Sequence, residues 1–142
     1  MHEILLTRLR HAAEELFRGG PVLAAYAFGS RVSGTPRPDS DLDIGYYLEG
    51  YWQRPPITIR EEMRLAGKLS DGVGFTVDLR SLAGAPLEVR GRVLEDGVRI
   101  YSGDPAARVA LERDLLSRYH DYKEVFREMH DVRLRAIAER GL

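Results

Sequence analysis

The stretch GSRVSGTPRPDSDLDI, residues 29–44, constrains this chain more than any other part of its sequence. It directly follows an apolar run, Val22 to Phe28, whose length and composition predict a buried strand. Asp41 and Asp43 come after a loop, at the start of a second predicted strand. Side chains at i and i+2 of a strand point to the same face, so both carboxylates are expected to project together.

The residue types in this stretch are those of a site for a metal ion and a phosphate. Two neighbouring carboxylates repel each other, and a divalent cation removes that conflict. Ligands that are all oxygen favour Mg²⁺ or Mn²⁺ over zinc. Gly29 lets the backbone approach a ligand closely, and Ser30 at a helix start offers a hydroxyl group and amides to a phosphate. Arg31 and Arg37 flank this position, and each is either a phosphate ligand or a solvated surface arginine.

The spacing of these residues, Gly-Ser, ten residues, then Asp-x-Asp, resembles the signature of the DNA-polymerase-β-like nucleotidyltransferase superfamily. The fuller stretch is similar to the minimal nucleotidyltransferases (MNT proteins), which are often paired with a HEPN partner as toxin and antitoxin. The resemblance implies an α/β (α+β) fold with a small mixed β-sheet, flanking helices and a long C-terminal helix. The residues that match the pattern one by one are Gly29, Ser30, Gly34, Ser40, Asp41 and Asp43.

The superfamily also uses a third carboxylate, on the strand beside the Asp-x-Asp strand. A third strand is predicted from Phe75 to Leu79, and Asp78 lies on the face of it that alternates with the apolar residues. The resemblance together with this parity favours Asp78 as the third acid. The alternative is that Asp78 only caps the turn after the strand.

The resemblance implies a Mg²⁺-dependent transfer of AMP from ATP to a hydroxyl group, in particular to a tyrosine of the HEPN toxin. Two metal ions held by Asp41, Asp43 and Asp78 would clamp the attacking and leaving oxygens, and Asp78 would help to deprotonate the incoming hydroxyl. Gly29 and Ser30 would hold the β- and γ-phosphates. Two alternatives stay open: an inactive antitoxin that neutralises its partner by binding, and a nucleotidyltransferase that acts on a small molecule.

Composition limits the other classes of function. A net charge of −1 gives no bulk positive field that would draw the chain to nucleic acid or to an anionic membrane. The absence of cysteine excludes disulfides and thiolate metal sites. No apolar stretch reaches the length of a membrane span, and the N-terminus carries acids, unlike a signal peptide. A cytoplasmic location is therefore expected.

Hydrophobic periodicity and Gly/Pro stop signals predict the remaining elements. Helices are expected at 2–18, 58–69 and 86–94, and strands at 22–28, 41–48, 75–79 and 98–101. Trp52 lies in the connection 49–56, where it either covers an edge of the core or stacks on a nucleotide base.

Asp104 and Pro105 form a helix start, and neither Gly nor Pro interrupts the sequence from there to Arg140. This divides the chain into a transferase domain, 1–103, and a C-terminal helix, 104–142. A continuous helix would be about 54 Å long, whereas a domain of this size spans about 30–35 Å. Its apolar seam, with Phe126 and Met129, is therefore expected to contact a second copy or the HEPN partner. The alternatives are a break near 117–120 or a helix that folds back entirely on its own sheet.

Overall fold

The computed structural model describes residues 3–29, 32 and 41–140 of the chain. Within these residues, four helices surround one sheet of four strands. In chain order, the elements are α1 (Glu3–Phe17), β1 (Val22–Phe28), β2 (Leu42–Leu48), α2 (Ile59–Val73), β3 (Val77–Ser81), α3 (Leu87–Asp96), β4 (Val98–Ser102) and α4 (Pro105–Glu139). No helix among the described residues is long and apolar enough to cross a membrane.

The strands lie in the order β3-β2-β1-β4. β1 is antiparallel to both β2 and β4, and β2 is parallel to β3. A parallel pair needs a crossover connection, which α2 supplies. The expected mixed sheet with flanking helices and a long C-terminal helix is therefore confirmed.

Helices cover both faces of the sheet. Alternate residues of β2, beginning with Leu42 and Ile44, pack with α1 and α2 on one face. The opposite face, which includes Tyr26 and Tyr47, packs against α3 and the first half of α4. This arrangement explains why β1 reads as a continuous apolar run, because a strand covered on both sides has no solvated face.

Two predicted boundaries differ from the structure around the turn that follows α2. The helix continues to Val73 instead of ending at Leu69, because its Schellman-like end is formed by Gly74, which has φ 78° and donates its N–H to the carbonyl of Ser70. β3 then begins at Val77 and not at Phe75. The helix thus takes up residues that the Gly-rich pattern assigned to a turn.

α4 is one continuous helix of 35 residues, about 52 Å long, so the alternative of a break near 117–120 is wrong. Its N-cap is Asp104, whose side chain accepts a hydrogen bond from Ala106 N at 3.0 Å. Leu111, Leu115 and Tyr119 are buried against the domain, whereas Phe126 is 59% exposed. Large apolar side chains stay exposed along the rest of the helix, so the alternative that it folds back entirely on its own sheet is also wrong.

Candidate active site

The two strands that carry the predicted acids are neighbours in the sheet. Asp43 on β2 pairs in parallel register with Asp78 on β3, and it pairs with Phe28 on the other side. Asp41 immediately precedes β2 and is exposed. The structure therefore brings the carboxylate-bearing positions together at the edge of the sheet where β1 ends and Gly29 follows.

The environment of Asp43 is unfavourable for a negative charge. Burial raises the pKa of its carboxyl group, the charge of Asp78 raises it further, and Asp41 adds a smaller contribution in the same direction. Among the residues that the structure describes, only the charge of Arg80 lowers this pKa. A cation at this position would relieve the repulsion among the three acids.

Arg80 is a residue of this site that the sequence analysis did not identify. Its Nε and Nη2 donate to Oδ2 of Asp78 at 2.8 and 2.7 Å. The two residues are separated by one position on β3, so their side chains share a face. That i, i+2 spacing of an acid and an arginine is the signal that could have revealed the pair.

Gly29 meets two separate requirements at the end of β1. Its φ is +88°, a conformation that L side chains rarely adopt. A Cβ at this position would also overlap the carboxylate of Asp43. Any other residue would therefore strain the backbone and displace the acid, so the glycine is required by the site itself.

A cavity of about 350 Å³ lies beside Gly29, between the end of β1 and α3. Val89, Arg92, Val93 and the acidic residue Asp96 form its wall on the helix. Arg92 pairs with Glu88 at 3.2 Å and is otherwise exposed to solvent. These residues were not identified from the sequence, because no local pattern shows which helix covers the glycine turn.

Other residues that the sequence singled out for phosphate binding lie outside the described part of the chain. They are Ser30, Arg31 and Arg37. Their expected contacts with the β- and γ-phosphates stay predictions.

A divalent cation such as Mg²⁺ needs several oxygen ligands around one position. Among residues 3–29, 32 and 41–140, no group of three acidic or histidine side chains surrounds a single position that a metal could occupy. The donor set nevertheless fits Mg²⁺ in type, because it is all oxygen, and in charge, because burial and the two neighbouring acids raise the pKa of Asp43. To bind the metal, the carboxylate of Asp78 would have to give up its ion pair with Arg80.

Trp52 lies far from this site. It is 69% exposed and lines a cavity of about 660 Å³ beyond the C-terminal end of β2, together with Tyr51. Asp43 lies near the other end of the same strand. Because most of the Trp52 side chain is exposed, the interpretation that it covers an edge of the core is wrong. Its stacking on a nucleotide base stays a prediction.

Known proteins are similar to this chain in sequence pattern and in fold. A family model described as "Polymerase beta, Nucleotidyltransferase" matches residues 12–106. No curated protein matches the chain significantly. Among solved structures, a toxin–antitoxin complex with AMP-PNP is similar with a TM-score of 0.62 and 19% identity, over 91% of this chain and 98% of the other.

Two further structures share this fold. One is the toxin–antitoxin MntA–HepT, with a TM-score of 0.58 and 16% identity over 94% of this chain and 99% of that one. The other, with the same score, identity and coverage, is a tri-AMPylated Shewanella oneidensis HEPN toxin in complex with MNT antitoxin. At these identities the likeness establishes a common fold.

Proposed function

The chain belongs to the polymerase beta nucleotidyltransferase family, and we propose that it transfers AMP from ATP to a tyrosine hydroxyl of a HEPN-type toxin and thereby acts as an antitoxin. The observation that carries this proposal is the parallel register of Asp43 and Asp78 beside Gly29, inside the matched residues 12–106. Support for the partner comes from similar structures, one of which holds AMP-PNP and another an AMPylated HEPN toxin with its MNT antitoxin.

Asp41, Asp43 and Asp78 are the residues that would hold Mg²⁺, two ions in the proposed reaction. Bound there, the ions would neutralise charge that develops on the phosphate oxygens. The acceptor hydroxyl oxygen forms a bond to the α-phosphorus of ATP, the bond from that phosphorus to the bridging oxygen breaks, and pyrophosphate leaves. The proton of the hydroxyl passes to the carboxylate of Asp78 or through it to water.

Gly29 and Arg80 have distinct parts in this proposal. Gly29 leaves the space beside the carboxylate of Asp43 free of a side chain, so the triphosphate can approach the backbone. Arg80 forms an ion pair with Asp78. A triphosphate offers its guanidinium another anionic partner, and the carboxylate of Asp78 then becomes available to the reaction.

We assign residues 1–103 to the transferase and 104–142 to a C-terminal helix that packs on the domain with its first half and contacts a partner with its exposed second half. The exposed apolar part of α4 also favours a second candidate, an antitoxin that neutralises its partner by binding without transfer. Label transfer separates the two, because binding alone leaves the partner's mass unchanged.

We expect ATP to raise the melting temperature of the protein clearly more with Mg²⁺ than with a chelator, because a ligand bound only by the folded state stabilises it. Differential scanning fluorimetry over a range of ATP concentrations measures this. Equal shifts in the two conditions would argue against a metal-dependent nucleotide site at these acids.

The transfer itself is tested with ATP labelled either at the α-phosphate or at the γ-phosphate. The protein is incubated with its HEPN-type partner and Mg²⁺, and the partner is then examined for label. AMP transfer predicts that only the α-label enters the partner, at a tyrosine. Incorporation of the γ-label would show phosphate transfer and would refute the proposed chemistry.

A further inference from the structure

A second cavity of about 350 Å³ lies on the outer side of α3, against the exposed part of α4. We call it the α3–α4 groove. Its lining includes Arg92, Tyr122, Lys123, Phe126, Arg127 and His130.

The floor of the groove is a ladder of stacked rings on one face of α4. The rings of Tyr122 and Phe126 are 6.0 Å apart and nearly parallel, and those of Phe126 and His130 are 6.5 Å apart with an interplanar angle of 8°. Phe126 is 59% exposed and Tyr122 38%. Rings already ordered on a helix offer contact area at low cost in side-chain entropy, which is typical of an interface.

The charges around the ladder have one predominant sign. Among the described residues that line the groove, Arg92, Lys123 and Arg127 are cationic and Glu88 is acidic. Arg92 pairs with Glu88 at 3.2 Å and Lys123 with Glu95 at 3.1 Å, whereas Arg127 forms no ion pair with any residue that the structure describes and is the cation that stays available to a partner. On a chain with a net charge of −1 this is a local basic surface, and it complements an acidic partner.

The groove is next to the cavity that lies beside Gly29. Arg92 lines both the groove and the cavity beside Gly29. A chain segment lying along Tyr122 and Phe126 would therefore approach the cavity beside Gly29 where it passes Arg92.

We propose that the α3–α4 groove docks an acidic, tyrosine-bearing segment of the acceptor protein and directs its hydroxyl past Arg92 to the reaction centre. The inference rests on the proposed function and specifies its acceptor. A second copy of this chain is the less favourable occupant. If it presented the same groove across a two-fold axis, it would bring Arg127 and Lys123 against cations of the same kind.

The test uses labelled copolymers of glutamate and tyrosine as the probe, with copolymers of lysine and tyrosine as the control. Fluorescence anisotropy measures their binding to the full-length protein. We expect the acidic copolymer to bind in a salt-dependent manner and the basic one not to bind. Arg127→Glu should weaken the binding of the acidic copolymer by about tenfold.

Arg133→Glu is the matched control, since it makes the same change on an exposed position of α4, six residues further along and about 240° around the helix. It should leave the affinity for the acidic copolymer unchanged. Equal losses of affinity in the two variants would show that the change in net charge alone causes the effect, and would refute the proposed docking site. Binding of the basic copolymer as tightly as the acidic one would do the same. A dimer of the wild-type protein that Phe126→Ser splits would show that a second copy occupies the groove, and would also overturn the proposal.

Label transfer distinguishes this proposal from the proposed function. If AMP is transferred and Arg127→Glu raises KM for the protein acceptor while kcat is retained, the groove is the docking site. If AMP is transferred and that KM is unaffected, the groove proposal is wrong and the function stands. If the acidic copolymer binds selectively but no AMP reaches the partner, the proposed function is wrong and the docking site is retained.

Discussion

Asp43→Asn is expected to lower the rate of AMP transfer by a factor on the order of 10³ or more, because the amide removes both a ligand charge and an oxygen donor from the reaction centre. Asp43 is the residue for which the structure gives the strongest case. It is partly buried on β2, in register with Asp78 and beside Gly29. Transfer of label from ATP to the partner measures the effect.

The same substitution is expected to stabilise the nucleotide-free protein at neutral pH. Burial, Asp78 and Asp41 raise the pKa of the Asp43 carboxyl in the folded state, so ionising it costs stability. The cost is absent below the unfolded pKa of about 3.9, grows as pH rises toward the folded pKa and is complete above it. The gain in melting temperature of Asp43→Asn over wild type should therefore be present at neutral pH and disappear in acid.

Asp41→Asn should likewise abolish transfer, and Asp78→Asn should slow it strongly. Asp71→Asn is a suitable control, because this carboxylate is exposed on α2 and lies in none of the cavities beside the acids. It should retain full activity. An Asp43→Asn protein that transfers AMP at the wild-type rate would refute the assignment of the acids.

The sequence predicted the parts of this site that depend on local geometry. Alternation along β2 places Leu42 and Ile44 in the core, so the parity of Asp41 and Asp43 follows from the strand alone. The turn at Gly29 after the apolar run is also predictable from the sequence, because few residues other than glycine suit such a turn. The family resemblance was needed to predict Asp78, because strand parity alone does not tell which strand pairs with β2.

The parts that the sequence did not predict depend on tertiary contacts. Parity shows that Arg80 shares a face with Asp78, but not that its guanidinium turns to that carboxylate. Arg92 reaches the glycine turn only because α3 packs across the sheet. The predicted end of α2 is too early because a glycine inside a helix costs only about 1 kcal/mol of helix stability. The packing of Leu69 and Val73 in the core offsets that cost, so the helix continues.

Gly91→Ala is expected to destabilise the folded protein by about 1–3 kcal/mol, as overpacking in a closely packed core does. Gly91 is buried on α3, and a Cβ there would overlap the ring of Tyr119. That ring is 5% exposed and is the last buried side chain of α4 before its exposed part. The substitution should therefore also loosen the contact that holds α4 at the edge of the groove. Urea denaturation measures the free energy of unfolding.

Gly67→Ala is the matched control, because it makes the same change in the middle of another helix, α2. A Cβ at this exposed position would have no atom within 4 Å. The substitution should stabilise the protein by about 0.5–1 kcal/mol, since alanine loses less backbone entropy than glycine on forming a helix. If both variants were stabilised alike, helix propensity alone would account for the effect and Gly91 would not be a packing contact. Opposite signs would show that the contact between Gly91 and Tyr119 outweighs propensity, and that α3 fixes the position of α4.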